Sequence, residues 1–159
     1  MLKFKQEEDS MTQTNIELLG NFDIDSLPDL DTVVLGALEM LAEQMVSRID
    51  TDEFKRPLVV GSGNAEATGR IIFAETDAVF ASESTVDNKL KNVKDIDEVV
   101  IISASGGKHA PIIARKAQAA SKHVTLITNT PNSPADRALD KSDITVHVFP
   151  KNREPYTYN

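Results

Sequence analysis

The most chemically loaded stretch of this sequence is Ser103, Ala104, Ser105, Gly106, Gly107, Lys108 and His109. It sits between the apolar run Val99–Ile102 and the Ala- and Ile-rich segment Ala110–Lys122. Glycines let successive backbone N–H groups turn inward, and a helix starting there favours an anion at its N-terminus. The stretch reads as a cradle for a phosphomonoester, with Ser103, Ser105, Gly106, Gly107 and Lys108 as its candidates. A second use of the same residues stays open: either serine as a plain helix N-cap, and Lys108 as a surface charge.

Gly61, Ser62, Gly63 and Asn64 follow another short apolar run, Leu58–Val60. A dinucleotide fingerprint would need a third glycine three positions after Gly63, where Glu66 stands; a carboxylate there repels a pyrophosphate. A Walker lysine loop also fails, because Lys108 lacks the upstream glycine spacing. A tight strand-to-helix turn without a ligand accounts for the same glycines. The third cluster, Thr128 to Pro134, follows the run Val124–Thr128 and reads as a turn with a capped short helix. His109, His123 and His147 are too scattered to suggest a metal site, and the absence of cysteine removes disulfides, thiolate catalysis and Cys-ligated zinc. No metal or cofactor is expected.

These loops need elements to hold them. Leu58–Val60, Ala78–Ala81, Val99–Ile102, Val124–Thr128 and Ile144–Phe149 are short, apolar and rich in β-branched residues, so each is expected as a strand. Asn64–Thr76 and Ala110–Lys122 are helix material, Pro134–Asp140 makes a turn or two, and the polar stretch Ser82–Asp97 has no assignable pattern. Strands that alternate with helices and are apolar without alternation indicate an α/β fold, a parallel sheet covered on both faces. In such a sheet ligands bind beyond the carboxyl ends of the strands, which is where the three clusters lie. Upstream, Val33, Val34, Ala37, Leu38, Leu41, Met45 and Ile49 recur at spacings of three and four, which predicts one amphipathic helix ending near Asp50. Residues 1–27 are polar and acidic and are expected to form a loosely ordered extension.

A chain of 159 residues with 40% hydrophobic and 26% charged side chains fits one globular domain, not a disordered or fibrous chain. No uncharged apolar run approaches the ~20 residues of a membrane span. Lys3 and Lys5 are followed at once by Glu7, Glu8 and Asp9, which is no secretory signal, so a cytoplasmic protein is expected. Residues 1–53 carry 13 acidic against 3 basic side chains, whereas residues 54–159 carry 12 against 14. An acidic leader repels phosphodiester backbones, so neither nucleic acid nor membrane is an expected partner.

The succession GSGN at 61–64, VVIISASGG at 99–107 and VTLITNTPNSPADRALDKSDITVHV at 124–148 resembles the SIS (sugar isomerase) domain family. Its hallmark is a strand ending in a Ser-x-Ser-Gly turn, followed by a strand ending in threonine and a Ser-Pro helix start. The resemblance covers residues 57–159. It implies a three-layer, flavodoxin-like fold with a five-stranded parallel sheet, here spanning 28–159 with the amphipathic helix leading it. Sugar phosphate is the implied ligand: Ser103, Ser105, Gly106, Gly107 and Lys108 on the phosphate, Gly61, Ser62, Gly63, Asn64 and Thr128 on the sugar. Lys108 stands where the family usually has threonine. Gly63 stands where isomerase members such as glucosamine-6-phosphate synthase carry a sugar-contacting serine, and Ser62 substitutes for it in this reading. The tail is similar to the isomerase lobe of that synthase, where a glutamate follows the last strand. Glu154 matches it and is the implied base for aldose–ketose isomerisation through a cis-enediol; an exposed carboxylate in a tail is its other reading. His109 is a further candidate, for ring opening. The lobe's Ser-Thr helix start does not follow, so a domain trimmed at its C-terminus is expected. SIS domains usually work in pairs, which implies a homo-oligomer or a second SIS lobe. Some sense sugar phosphates without catalysis, usually fused to a helix-turn-helix of which the acidic leader shows no sign.

Overall fold

A computed structural model describes residues 49–150, together with Val34, Leu35, Leu38 and Ala42. Five parallel strands form one sheet: β1 (Leu58–Val60), β2 (Val79–Ala81), β3 (Glu98–Ile102), β4 (His123–Thr128) and β5 (Ile144–Val148), in the order β2-β1-β3-β4-β5. This is the flavodoxin-like order expected from the resemblance. The strands match the five apolar runs to within a residue at each end.

The sheet is apolar on both faces because both are covered. Alternate residues divide into two clusters. Leu58, Val60, Val99, Ile101, Val124, Leu126 and Ile144 face α2 (Val86–Asn92) and α3 (Ala110–Ala119). Val59, Val100, Ile102 and Ile127 share the other cluster with Phe73 and with Ala65 and Ile72 of α1 (Asn64–Ile72). Leu58, Val99, Val100, Val124 and Leu126 are wholly buried. Buried runs without alternation are what strands covered on both faces require.

Several boundaries differ from the sequence expectation. The first helix stops at Ile72 instead of Thr76, where Phe73, buried at 1% exposure, caps it and turns its ring onto Phe54. The helix α3 ends at Ala119, and Lys122 leaves it to donate its ammonium to the Ile96 carbonyl. Pro134–Asp140 contains a 3-10 turn, Asp136–Ala138. The unassigned stretch Ser82–Asp97 holds α2, which buries Val86 fully and Leu90 in part. Two apolar contacts on a seven-residue helix leave no periodic stripe to read. Of the leading helix, Val34, Leu35, Leu38 and Ala42 are helical. Ile49 and Asp50 are not; the Asp50 side chain accepts the Asp52 N–H at 3.1 Å and caps the 3-10 turn Thr51–Glu53. The extension 1–27, the rest of the stripe before Ile49 and the tail after Pro150 lie outside the described residues.

Candidate functional site

From β1 the chain moves outward to β2 and returns past β1 to β3, so the strand order reverses between β1 and β3. The crevice at such a reversal is where an open α/β sheet takes its ligand. A cleft of about 360 Å³ opens there, at the carboxyl ends of β1, β2 and β3 and the start of α3. Of the candidates, Gly61, Ser62, Ser103, Ser105, Gly107 and Lys108 line it.

The Ser103–Lys108 turn is built from its own backbone and from β4. The Ser103 N–H donates to the Ile127 carbonyl at 3.0 Å, continuing the sheet by one rung. The Gly106 N–H returns to the Ser103 carbonyl at 3.1 Å, and the Gly107 N–H donates to Ser105 Oγ at 3.2 Å. Gly106 has φ of 57°, and a Cβ there would collide with Ser133 Oγ and lie 2.5 Å from Ser133 Cβ. It is therefore buried against the β4 loop and shapes the turn without lining the cleft. Among the described residues the amides of Ser105, Lys108 and His109 have no backbone or side-chain acceptor. Three free donors, two serine hydroxyls and the Lys108 ammonium thus share one turn. No acidic residue stands in the first turn of α3 to compete for an anion, whereas α1 carries Glu66 there, paired with Arg70 at 2.8 Å.

A second cleft, of about 430 Å³, lies between α1 and the ends of β3, β4 and β5. Ser62 and Ser103 line both clefts and join them. Asn64, Thr68, Thr128 and Asn129 are its polar residues; Ile72, Ile127 and Phe149 are apolar walls. Thr128 is 2% exposed, and its hydroxyl donates to the Ala104 carbonyl at 3.0 Å. Gly63 lines neither cleft. Its φ of 57° with ψ of −126°, at the N-cap of α1, suits glycine and excludes the serine of related turns. Glu154 lies outside the described residues.

Sequence reasoning missed Glu83 and Ser133. Glu83, just past β2, lines the smaller cleft and holds His109 Nδ1 at 2.6 Å. The rule that pointed to the loops after β1 and β3 applies equally after β2 and would have marked it. Ser133 is fully buried against Gly106, a contact that only the tertiary fold creates. Among the described residues no three His, Asp or Glu side chains gather as a metal site, and no helix is long and apolar enough to cross a membrane.

Neither the protein-family models nor the curated proteins give a match. Solved structures do. The Vibrio vulnificus NanR protein complexed with ManNAc-6P is similar over 90% of this chain and 57% of its own, with a TM-score of 0.62 at 17% identity. An Escherichia coli CFT073 protein in complex with a sugar phosphate has a TM-score of 0.62 at 15% identity, over 81% of this chain and 78% of its own. The sugar isomerase domain of the RpiR transcription factor from Sphaerobacter thermophilus has a TM-score of 0.57 at 17% identity, over 80% of this chain and 78% of its own. This chain therefore spans little more than half the length of the NanR chain.

Proposed function

We propose that this chain, which has the sugar isomerase (SIS) domain fold, binds a phosphosugar across its two joined clefts. The observation that carries the reading is the turn at Ser103–Lys108, where unpartnered amides, two hydroxyls and an ammonium converge at the start of a ten-residue helix. A phosphomonoester matches that donor set, since each of its oxygens takes charge-assisted hydrogen bonds. The sugar would extend past Ser62 and Ser103 into the larger cleft, toward Asn64 and Thr128. Two of the similar structures are complexes with sugar phosphates, ManNAc-6P in the case of NanR, which supports this ligand class.

Within that reading we assign the chain to aldose–ketose isomerisation. Such a reaction removes the proton from the carbon beside the carbonyl, forms a cis-enediol and returns the proton to the neighbouring carbon, with no net oxidation. A fixed phosphate presents the reacting carbon, and a carboxylate within hydrogen-bond reach accepts the proton. Glu154 is the proposed base. The Asn129 side-chain amide donates to the Phe149 carbonyl at 3.2 Å and the Pro150 carbonyl at 3.4 Å, tying the chain to the ligand edge of the sheet. Four further residues span at most about 14 Å, which keeps Glu154 within range of that edge. The rival reading, sensing without turnover, is favoured by the likeness to the sugar isomerase domain of a transcription factor.

Proton exchange separates the two. With a bound sugar phosphate in deuterium oxide, an isomerase exchanges the hydrogen at C2, and Glu154→Gln abolishes exchange while sparing binding, because the amide keeps the shape but accepts no proton. Exchange that persists in the Gln variant removes Glu154 from the mechanism; binding without exchange at any sugar phosphate makes the domain a sensor.

A further inference from the structure

The peptide unit between Ala104 and Ser105 forms the wall between the two clefts. Ala104 lines the larger one beside Thr128 and Asn129, and Ser105 lines the smaller one. The Ala104 carbonyl oxygen accepts three hydrogen bonds, from the Thr128 hydroxyl at 3.0 Å, the Asn129 N–H at 3.0 Å and the Thr130 hydroxyl at 3.1 Å. A carbonyl oxygen has two lone pairs, so this acceptor is saturated from the β4 side. The Thr128 hydroxyl accepts the Thr130 N–H at 3.2 Å, which leaves its own proton for Ala104. No peptide bond among the described residues is cis, and in a trans peptide the C=O and N–H point in opposite directions. Drawing the carbonyl toward β4 therefore turns the Ser105 N–H away from it, toward the smaller cleft. That N–H has no acceptor among the described residues.

We propose that Thr128 and Thr130 are positioning residues, which clamp the Ala104 carbonyl so that the Ser105 N–H is presented to a bound phosphate. The inference rests on the phosphate reading of the turn and deepens it. Thr128 acts on the phosphate through Ala104, from the far side of the wall. The clamp costs nothing when ligand arrives, because the peptide is already turned before binding; a donor that must first rotate would lose part of its hydrogen-bond energy to ordering.

The test is a titration of the full chain with sodium phosphate, followed through the amide resonances of the turn. In the unaltered protein the Ser105, Lys108 and His109 amide protons move together on saturation. In Thr128→Val, which keeps the shape and removes the hydroxyl, the Ser105 response is lost while Lys108 and His109 still respond, and affinity falls about tenfold, the worth of one charge-assisted hydrogen bond. Thr128→Ser restores both. Thr130→Val, at an exposed position where folding is not at issue, gives the same pattern in weaker form. A general loss of stability would not silence one amide selectively, nor be reversed by serine. A Ser105 response and affinity unchanged in both valine variants overturns the clamp and leaves the cradle standing. If no amide of the turn responds in the unaltered protein, the cradle itself fails and the clamp with it.

Discussion

Ser133 leaves no room for a side chain at position 106, since a Cβ there would collide with its Oγ and approach its Cβ to 2.5 Å. Gly106 also holds φ of 57°, a conformation costing an L-residue roughly 1–2 kcal/mol. Overpacking a fully buried neighbour adds about 1–3 kcal/mol. We expect Gly106→Ala to lower stability by about 3 kcal/mol in chemical denaturation; a loss under about 1 kcal/mol would mean that the turn relaxes freely. At this scale, residues whose role is local could be read from the sequence. Ser103, Ser105 and Lys108 announce themselves because hydroxyls, glycines and a cation crowd one turn. Ser133 and Glu83 do not, because their work depends on what the fold brings opposite them, Gly106 in one case and His109 in the other. Gly63 shows the converse: its departure from serine follows from a backbone angle that spacing alone does not reveal.

Helix α1 separates the two clefts' supporting core from solvent and packs onto β1 and β3 through Gly69. Replacing a helix-interior glycine with alanine normally gains about 1 kcal/mol. Here the added Cβ would stand 2.8 Å from Val59 Cγ1 and 3.0 Å from Ile102 Cδ1. Val59 is β-branched and 2% exposed, so it has little freedom to yield. Gly69→Ala is therefore expected to destabilise by about 1–2 kcal/mol, and a higher melting temperature in this variant would contradict the close packing of α1 on the sheet. Elements with long apolar or Ala-rich patterns were legible: all five strands, α1 and α3. Helix α2 was not, since one buried valine, one half-buried leucine and a polar remainder carry no period. Its position is held instead by Lys116 of α3 bonded to Asp87 at 2.6 Å, a contact without a local signature.

The whole molecule has a strongly acidic leader joined to a nearly neutral body, with a formal net charge of −8. Val34, Leu35 and Leu38 are helical and 49%, 60% and 57% exposed. Three neighbouring apolar side chains on one helix argue for a partner surface, and the SIS reading makes a second copy our proposal for it. Sedimentation at tens of micromolar is expected to show a species heavier than the 17.4 kDa chain, and a clean monomer would count against it. The strand order, the reversal at β1 and β3 and the gathering of the first and second loop clusters at one edge all follow from sequence-level rules. The division of that edge into two clefts, and the peptide that forms their wall, required coordinates.

The central claim is that the Ser103–Lys108 turn holds a phosphomonoester. It is tested most directly by calorimetric titration of the unaltered chain and Ser105→Asp, side by side, with a panel of sugar phosphates. Ser105 is exposed, so aspartate leaves the fold intact while setting a carboxylate against the phosphate. The account predicts that at least one sugar phosphate binds the unaltered chain, that inorganic phosphate competes with it, and that Ser105→Asp lowers the affinity by at least about a hundredfold. Equal affinity in the two proteins, for every sugar phosphate that binds, would contradict it.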